Sequence, residues 1–230
     1  MNTQEKRVKI MKKEFDTCLL SVNESELYGF SWMEYVLAIP APLVCVTGYK
    51  DNGKPNATMQ SWLTFTGDES YREDSGFYCI FASVNKQGHM YASVKQTKQL
   101  VINFPDKDNF PKCIKTIENN GYDNDEITLS GLTVEPATKV NAPRIKECFL
   151  NLECEYVWEK EIVPDADHVV MCVKVVNVCM DEEYYDENQK GRYGDTGYLY
   201  NIRSTINPDT GKREEAYVGT LKKYASYEEL

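Results

Sequence analysis

Along this chain, apolar positions gather in short runs or alternate with polar ones, which predicts strands more often than helices. Residues 43–49 form a β-branched, apolar run. The segment Lys50-Asp51-Asn52-Gly53-Lys54-Pro55 that follows is turn chemistry, and a second strand-like run covers 56–66, so the stretch predicts a hairpin. Residues 77–83 predict a third strand. Polar residues 85–89 lead into 90–99, where Met90, Val94 and Thr97 recur at helical spacing. Residues 100–104 predict a strand stopped by Pro105, and 109–119 a second helix ended by Asn120-Gly121. The clearest period-2 signal lies at 148–158. There Cys148, Leu150, Leu152, Cys154, Tyr156 and Trp158 point one way, and Asn151, Glu153 and Glu155 the other, as in a half-buried strand. A long Val-rich strand follows over 168–180. Strand-rich halves with inserted helices, in place of regular βαβ alternation, argue for an antiparallel barrel over a parallel doubly wound sheet.

Composition narrows the function classes. The 230 residues suit one barrel domain with decoration, and a net charge of −10 argues against a nucleic-acid partner. The basic cluster Lys6, Arg7, Lys9, Lys12 and Lys13 is read as the solvated face of an amphipathic N-terminal arm. No apolar run approaches the roughly 20 residues of a membrane span, and no apolar h-region marks a signal peptide. The 8 cysteines include no CxxC pair and there are only 2 histidines, so no metal site is expected. Cys45 and Cys172 lie inside apolar runs, as buried thiols in a reducing, cytoplasmic compartment would. No GxGxxG, GxxxxGK[ST] or GxSxG motif occurs, and no paired-carboxylate signature stands out. His89 and His168, taken alone, read as surface or hydrogen-bonded histidines. The residues by themselves therefore predict a barrel domain without naming a reaction.

Four segments, in order over about 36–180, carry more. The first is Ile39-Pro40-Ala41-Pro42-Leu43-Val44-Cys45-Val46-Thr47 with Gly53-Lys54-Pro55-Asn56-Ala57-Thr58-Met59-Gln60-Ser61-Trp62. The second is Lys86-Gln87-Gly88-His89-Met90-Tyr91 with Lys95-Gln96-Thr97-Lys98-Gln99-Leu100-Val101-Ile102-Asn103-Phe104-Pro105. The third is Asp125-Glu126-Ile127-Thr128-Leu129-Ser130-Gly131-Leu132-Thr133 with Ala142-Pro143-Arg144-Ile145-Lys146-Glu147-Cys148 and Asn151-Leu152-Glu153-Cys154; the fourth is Asp167-His168. Together they resemble the flavin reductase-like family, and especially its flavoredoxin-like branch.

The resemblance implies a mainly β fold with helices, an antiparallel Greek-key split β-barrel that binds FMN at a homodimer interface. It implies an N-terminal arm at 1–35, the barrel domain at 36–182, and a C-terminal extension at 183–230 that packs on the barrel or on the dimer partner. Asn56, Ala57, Thr58, Met59, Gln60, Ser61 and Trp62 would meet the flavin ring, with Trp62 serving the flavin, the interface or the core. Asn85, Lys86, Gly88, His89, Met90 and Tyr91 would cradle the phosphate at a helix N-terminus, where free N–H groups and the helix dipole favour an anion. Tyr91 departs from a Thr common in the family. Asn103 would hold a loop or face the flavin. His168 would lie on the substrate side, although Ala166 replaces a frequent Gly. Flavin would carry the chemistry, receiving electrons from NAD(P)H or a redox partner, so no catalytic side chain is required. The alternative reading is a flavin-binding or dimeric barrel module without turnover.

Overall fold

The computed structural model describes residues 39–67, 75–185, 192–202, 217–223 and 225–227. The expected N-terminal arm with its basic cluster, Cys18, and the turn at Asn207-Pro208-Asp209-Thr210-Gly211 fall outside them.

Seven strands make one sheet: β2 (Val44–Tyr49), β3 (Pro55–Gln60), β4 (Leu63–Gly67), β5 (Phe77–Asn85), β6 (Gln99–Phe104), β9 (Leu150–Glu161) and β10 (His168–Met180). Their order is β3-β2-β6-β9-β10-β5-β4, and every neighbouring pair is antiparallel. Alternate residues of this sheet turn onto one apolar cluster that includes Val44, Val46, Cys79, Phe81, Leu100, Ile102, Leu152, Cys154, Met171 and Val173. Burying each such side chain contributes about 1.5–3 kcal/mol, and this is what holds the coiled sheet around its interior. The architecture is the mainly β, antiparallel split barrel that the sequence predicts.

The β2–β3 hairpin turns where Asn52-Gly53 stands. Gly53 has φ +77°, a region that favours glycine, and its amide donates to Lys50 O at 2.9 Å. Helix α1 (His89–Thr97) places Met90 and Val94 in the barrel core and ends on Lys98, whose left-handed φ of 59° turns the chain into β6. It lies so close to β2 that a Cβ on Gly48 would stand 3.3 Å from Ser93 Cβ. Helices α2 (Phe110–Glu118) and α3 (Glu126–Leu129) cover the outer face. There Cys45, Ala57, Cys113, Ile127, Leu132, Ile145 and Cys148 form a second cluster. A small hairpin of β7 (Val134–Pro136) and β8 (Pro143–Ile145) completes that cover. The cysteines described are free thiols, buried except for the half-buried Cys179, and burial pushes Cys79 up to about 12.

Two expectations need correction. The run 56–66 is two strands, because the chain leaves β2 at Gln60, turns a corner at Ser61-Trp62 and pairs with β5 from Leu63. The alternation at 148–158 holds from Leu150 to Tyr156, but of its polar side only Glu155 faces water. Asn151 and Glu153 are buried, because the segment around β7 and β8 lies over them. Glu153 accepts hydrogen bonds from the Thr138 and Lys139 amides at 2.9 and 2.6 Å. At the ends of the alternation, Cys148 belongs to the outer cluster and Trp158 is 44% exposed.

The C-terminal segment contributes β11 (Leu199–Ile202) and β12 (Tyr217–Thr220), which join β1 (Ala41–Pro42) in a three-stranded sheet of order β1-β11-β12. Leu199 is buried, its carbonyl accepts from the Leu43 amide at 2.9 Å, and Tyr184 stacks on Phe149 at 4.5 Å between centroids. All these elements belong to one unit, Pro40–Ile202 with Ala216–Leu230.

Candidate functional site

Where β2 ends, the chain buries a charge. Lys50, 6% exposed, directs its ammonium at Gly121 O and Asn124 O, each at 2.8 Å, and at Glu126 Oε1 at 3.0 Å. All three ammonium protons thus have acceptors, the condition under which a buried lysine is tolerated. Glu126 is fully buried at the start of α3, whose cap Asp125 accepts the Thr128 amide at 2.9 Å. One carboxylate oxygen takes Lys50 and lies 3.3 Å from His89 Nδ1, at the first residue of α1. The other accepts the Ala57 amide at 2.9 Å. A single carboxylate therefore ties the end of β2, the N-terminus of α1 and the outer edge of β3 together. The sequence reading did not single out Glu126 or Lys50. The only local trace is a Glu directly after a helix-capping Asp, within one of the resembling segments.

β3 is one of the two edge strands of the sheet. The Ala57 amide turns away from β2 to reach Glu126, so by the two-residue period Met59 presents its amide on that same open edge. Asn56 is buried, and its Oδ1 has no hydrogen-bond partner while its Nδ2 lies 3.4 Å from Thr58 Oγ1. Ala57 packs into the outer cluster, with Met59 partly buried against it. Thr58 and Gln60 are half-buried. Ser61 is buried and accepts from Asn201 Nδ2 at 2.8 Å, and Trp62 beside it is 42% exposed.

The other predicted residues sort into three places. Asn85, Lys86 and His168 come together at one rim of the barrel: His168 pairs with Asn85 across β10 and β5, and the Lys86 amide donates to Asp167 O at 2.9 Å. His89 opens α1, whose cap Gly88 offers no side chain and whose first turn holds no acid. Met90 is in the barrel core, and Asn103 is wholly enclosed. Asn103 Nδ2 donates to Cys45 O at 2.9 Å and Thr47 Oγ1 at 3.0 Å, and its Oδ1 accepts from the Ile145 amide and Asn151 Nδ2.

Two carboxylates from β9 face the cationic rim. Lys86 Nζ meets Glu161 Oε1 at 2.6 Å, and Glu159 Oε1 accepts from Tyr91 OH at 2.8 Å and Lys95 Nζ at 2.9 Å. Burial alone would raise the Glu159 carboxyl. The hydrogen bonds from Lys95 and Tyr91 and the charges of Lys95 and Lys98 outweigh it and hold the group below its ordinary value. Burial and the bond to Glu159 raise the Tyr91 hydroxyl.

A family model described as a flavin reductase like domain matches residues 36–198. The chain belongs to the flavin reductase-like family. Membership ties it to flavin-linked redox chemistry. Among relatives of this family member, an uncharacterized protein of Aquifex aeolicus is 27% identical over 165 residues, covering 68% of this chain and 78% of the relative. The flavoredoxin of Desulfovibrio vulgaris (Miyazaki F) shares the fold at a TM-score of 0.65 and 17% identity, over 94% of this chain and 96% of that one. Nitrilotriacetate monooxygenase component B from Bacillus cereus does so at a TM-score of 0.67 and 16% identity, over 91% and 99%. Among the described residues, no His, Cys, Asp and Glu cluster could hold a metal ion, and no helix is long and apolar enough to cross a membrane.

Proposed function

We propose that this chain binds FMN along the open edge of β3 and works as a homodimeric oxidoreductase, passing electrons from NAD(P)H or a redox partner through the flavin. The observation that carries this reading is the Glu126 carboxylate, which fastens the uncapped N-terminus of α1 against the edge of β3. A ligand with an anionic end and a flat, hydrogen-bonding ring needs these two features side by side.

The residues present suit that ligand. The first-turn amides of α1, at His89, Met90 and Tyr91, suit a phosphate, since anions favour helix N-termini. Lys86 adds a cation once it exchanges Glu161 for the phosphate. The Met59 amide, the Thr58 and Gln60 side chains and the unpartnered Asn56 Oδ1 offer donors and acceptors for a ring edge. Trp62 provides an apolar face beside them, and together with the 40% exposed Phe65 it forms a surface for a second copy of the chain. FMN, when bound, supplies the redox chemistry, and the protein's part is to hold it and to exclude competing reactions. His168, exposed next to Asn85, stands where a nicotinamide or a partner's redox group would approach.

The test is the visible spectrum of the purified protein, followed by anaerobic titration with NADH and NADPH. Absorption near about 370 and 450 nm that bleaches with a pyridine nucleotide establishes the reductase. Absorption that bleaches only with dithionite or a reduced partner protein identifies an electron carrier. Bound flavin that no physiological donor reduces leaves the non-catalytic binding module, and a colourless protein that takes up no added FMN removes the proposal.

A further inference from the structure

At the end of the barrel away from the Lys50–Glu126 pair lies a half-open pocket of about 300 Å³. Leu150, Leu152 and Phe104, from the ends of β9 and β6, line it from the barrel interior, and Phe65 of β4 from the side. The remaining walls come from the three-stranded sheet: Tyr198 and Tyr200 arrive with β11, and Pro42 pairs with Tyr200 from β1. The barrel alone would leave this end bare, so the C-terminal extension walls it into a chamber that stays open to solvent on one side.

The chemistry of the chamber is uniform. Among the described residues no charged side chain lines it, and its polar groups are those of two tyrosines and the backbone. An ion entering would lose its hydration without a counter-charge, a large cost in such surroundings. An apolar guest loses nothing comparable and gains by leaving water for the apolar walls. The rings also carry a preference. Phe104 lies 6.2 Å from Phe65 and 5.5 Å from Tyr198 between centroids, tilted 32° and 78°. Rings at these spacings and angles present both faces and edges, which a further aromatic ring can meet in the offset or edge-to-face geometry it prefers.

We propose that this chamber is a binding site for a small, uncharged molecule of one or two aromatic rings, with a selectivity set by the C-terminal extension. The site is distinct from the β3 edge, and its occupancy does not depend on whether the chain carries a flavin.

Naphthalene serves as the probe, with 2-naphthalenesulfonate as its charged counterpart, each titrated into the full chain and followed by calorimetry and by saturation-transfer NMR. Naphthalene is expected to bind, with magnetisation transferred to it from Phe104, Leu152 and Tyr198, and the sulfonate at least tenfold more weakly. Leu152→Phe, which fills the chamber from below, is expected to weaken naphthalene at least tenfold. Phe65→Ala removes a wall at a half-exposed position of β4, and is expected to weaken it several-fold even if Leu152→Phe fails to fold. The proposal is overturned if naphthalene gives no transfer at its solubility limit, if the sulfonate binds equally well, or if Phe65→Ala binds like the wild type.

Discussion

The two ends of β2 are built on opposite principles. At its start, Val44 and the neighbouring Pro42 belong to an apolar end, where rings and leucines surround open volume. At its finish, Lys50 enters a buried cluster in which every charge has a named partner. Apolar contacts are non-directional, so that end can accept changes of shape and still fold. The ionic end has no such latitude, since removing one partner strands the other in a low-dielectric interior. A single strand therefore joins a part able to vary its contents to a part that fixes geometry.

The largest effect expected from breaking this contrast is at Glu126. Glu126→Gln leaves Lys50 buried without a counter-charge and should destabilise the protein by about 3–5 kcal/mol in urea unfolding. Adding Lys50→Met should recover more than half of that loss, because the Gln still receives the Ala57 amide and no charge remains buried. A double variant no more stable than the single one would show that the carboxylate acts by some means other than pairing with Lys50.

At the apolar end, Leu152→Phe should change stability by less than about 1.5 kcal/mol, since the extra atoms enter existing space. A loss as large as that of Glu126→Gln would erase the distinction between the two ends.

The smallest effect sharpens the picture at the cationic rim. Glu159→Gln removes the charge from the acceptor shared by Tyr91 and Lys95, an interaction at a partly exposed site worth below about 1 kcal/mol. The folded carboxyl titrates below its ordinary value, so its contribution is fully present above about 4.5 and is lost as pH falls through the folded value. The stability gap between wild type and variant should accordingly close between pH 5 and strongly acid conditions. A gap that stays constant with pH would assign the effect to packing.

Much of the barrel was legible in the sequence because its strands bury one face each. The alternation Leu150, Leu152, Cys154 and the run from Val169 to Val173 state which side faces the core. The exact span of β10 and the turn at Gly53 follow from the same local rules. What could not be read is what covers the other face. Glu153 looks like a solvent-facing residue until the chain around Thr138 and Lys139 returns to bond it. The candidate site shows the same divide. Lys86, His89 and the β3 residues came from motif resemblance, whereas Glu126 joins two of them, His89 and Ala57, from 37 and 69 positions away along the chain. Glu159 and Glu161 were likewise invisible as partners, because only the antiparallel return of β9 and β10 brings them to the rim. Tyr198 and Tyr200 gave no sign that they roof a cavity.

The order β3-β2-β6-β9-β10-β5-β4 also sets a timetable for folding. The β4–β5 hairpin is complete by Asn85, yet its neighbour β10 begins only at His168. Closing so long a loop makes this a slow pairing of high contact order. During synthesis the inner edge of β5 therefore waits unpaired, with Ile80 and Phe81 in it, until β10 has been made. A chain stopped before His168 would keep that edge open to other molecules, so this seam governs how safely the protein can be made at high concentration.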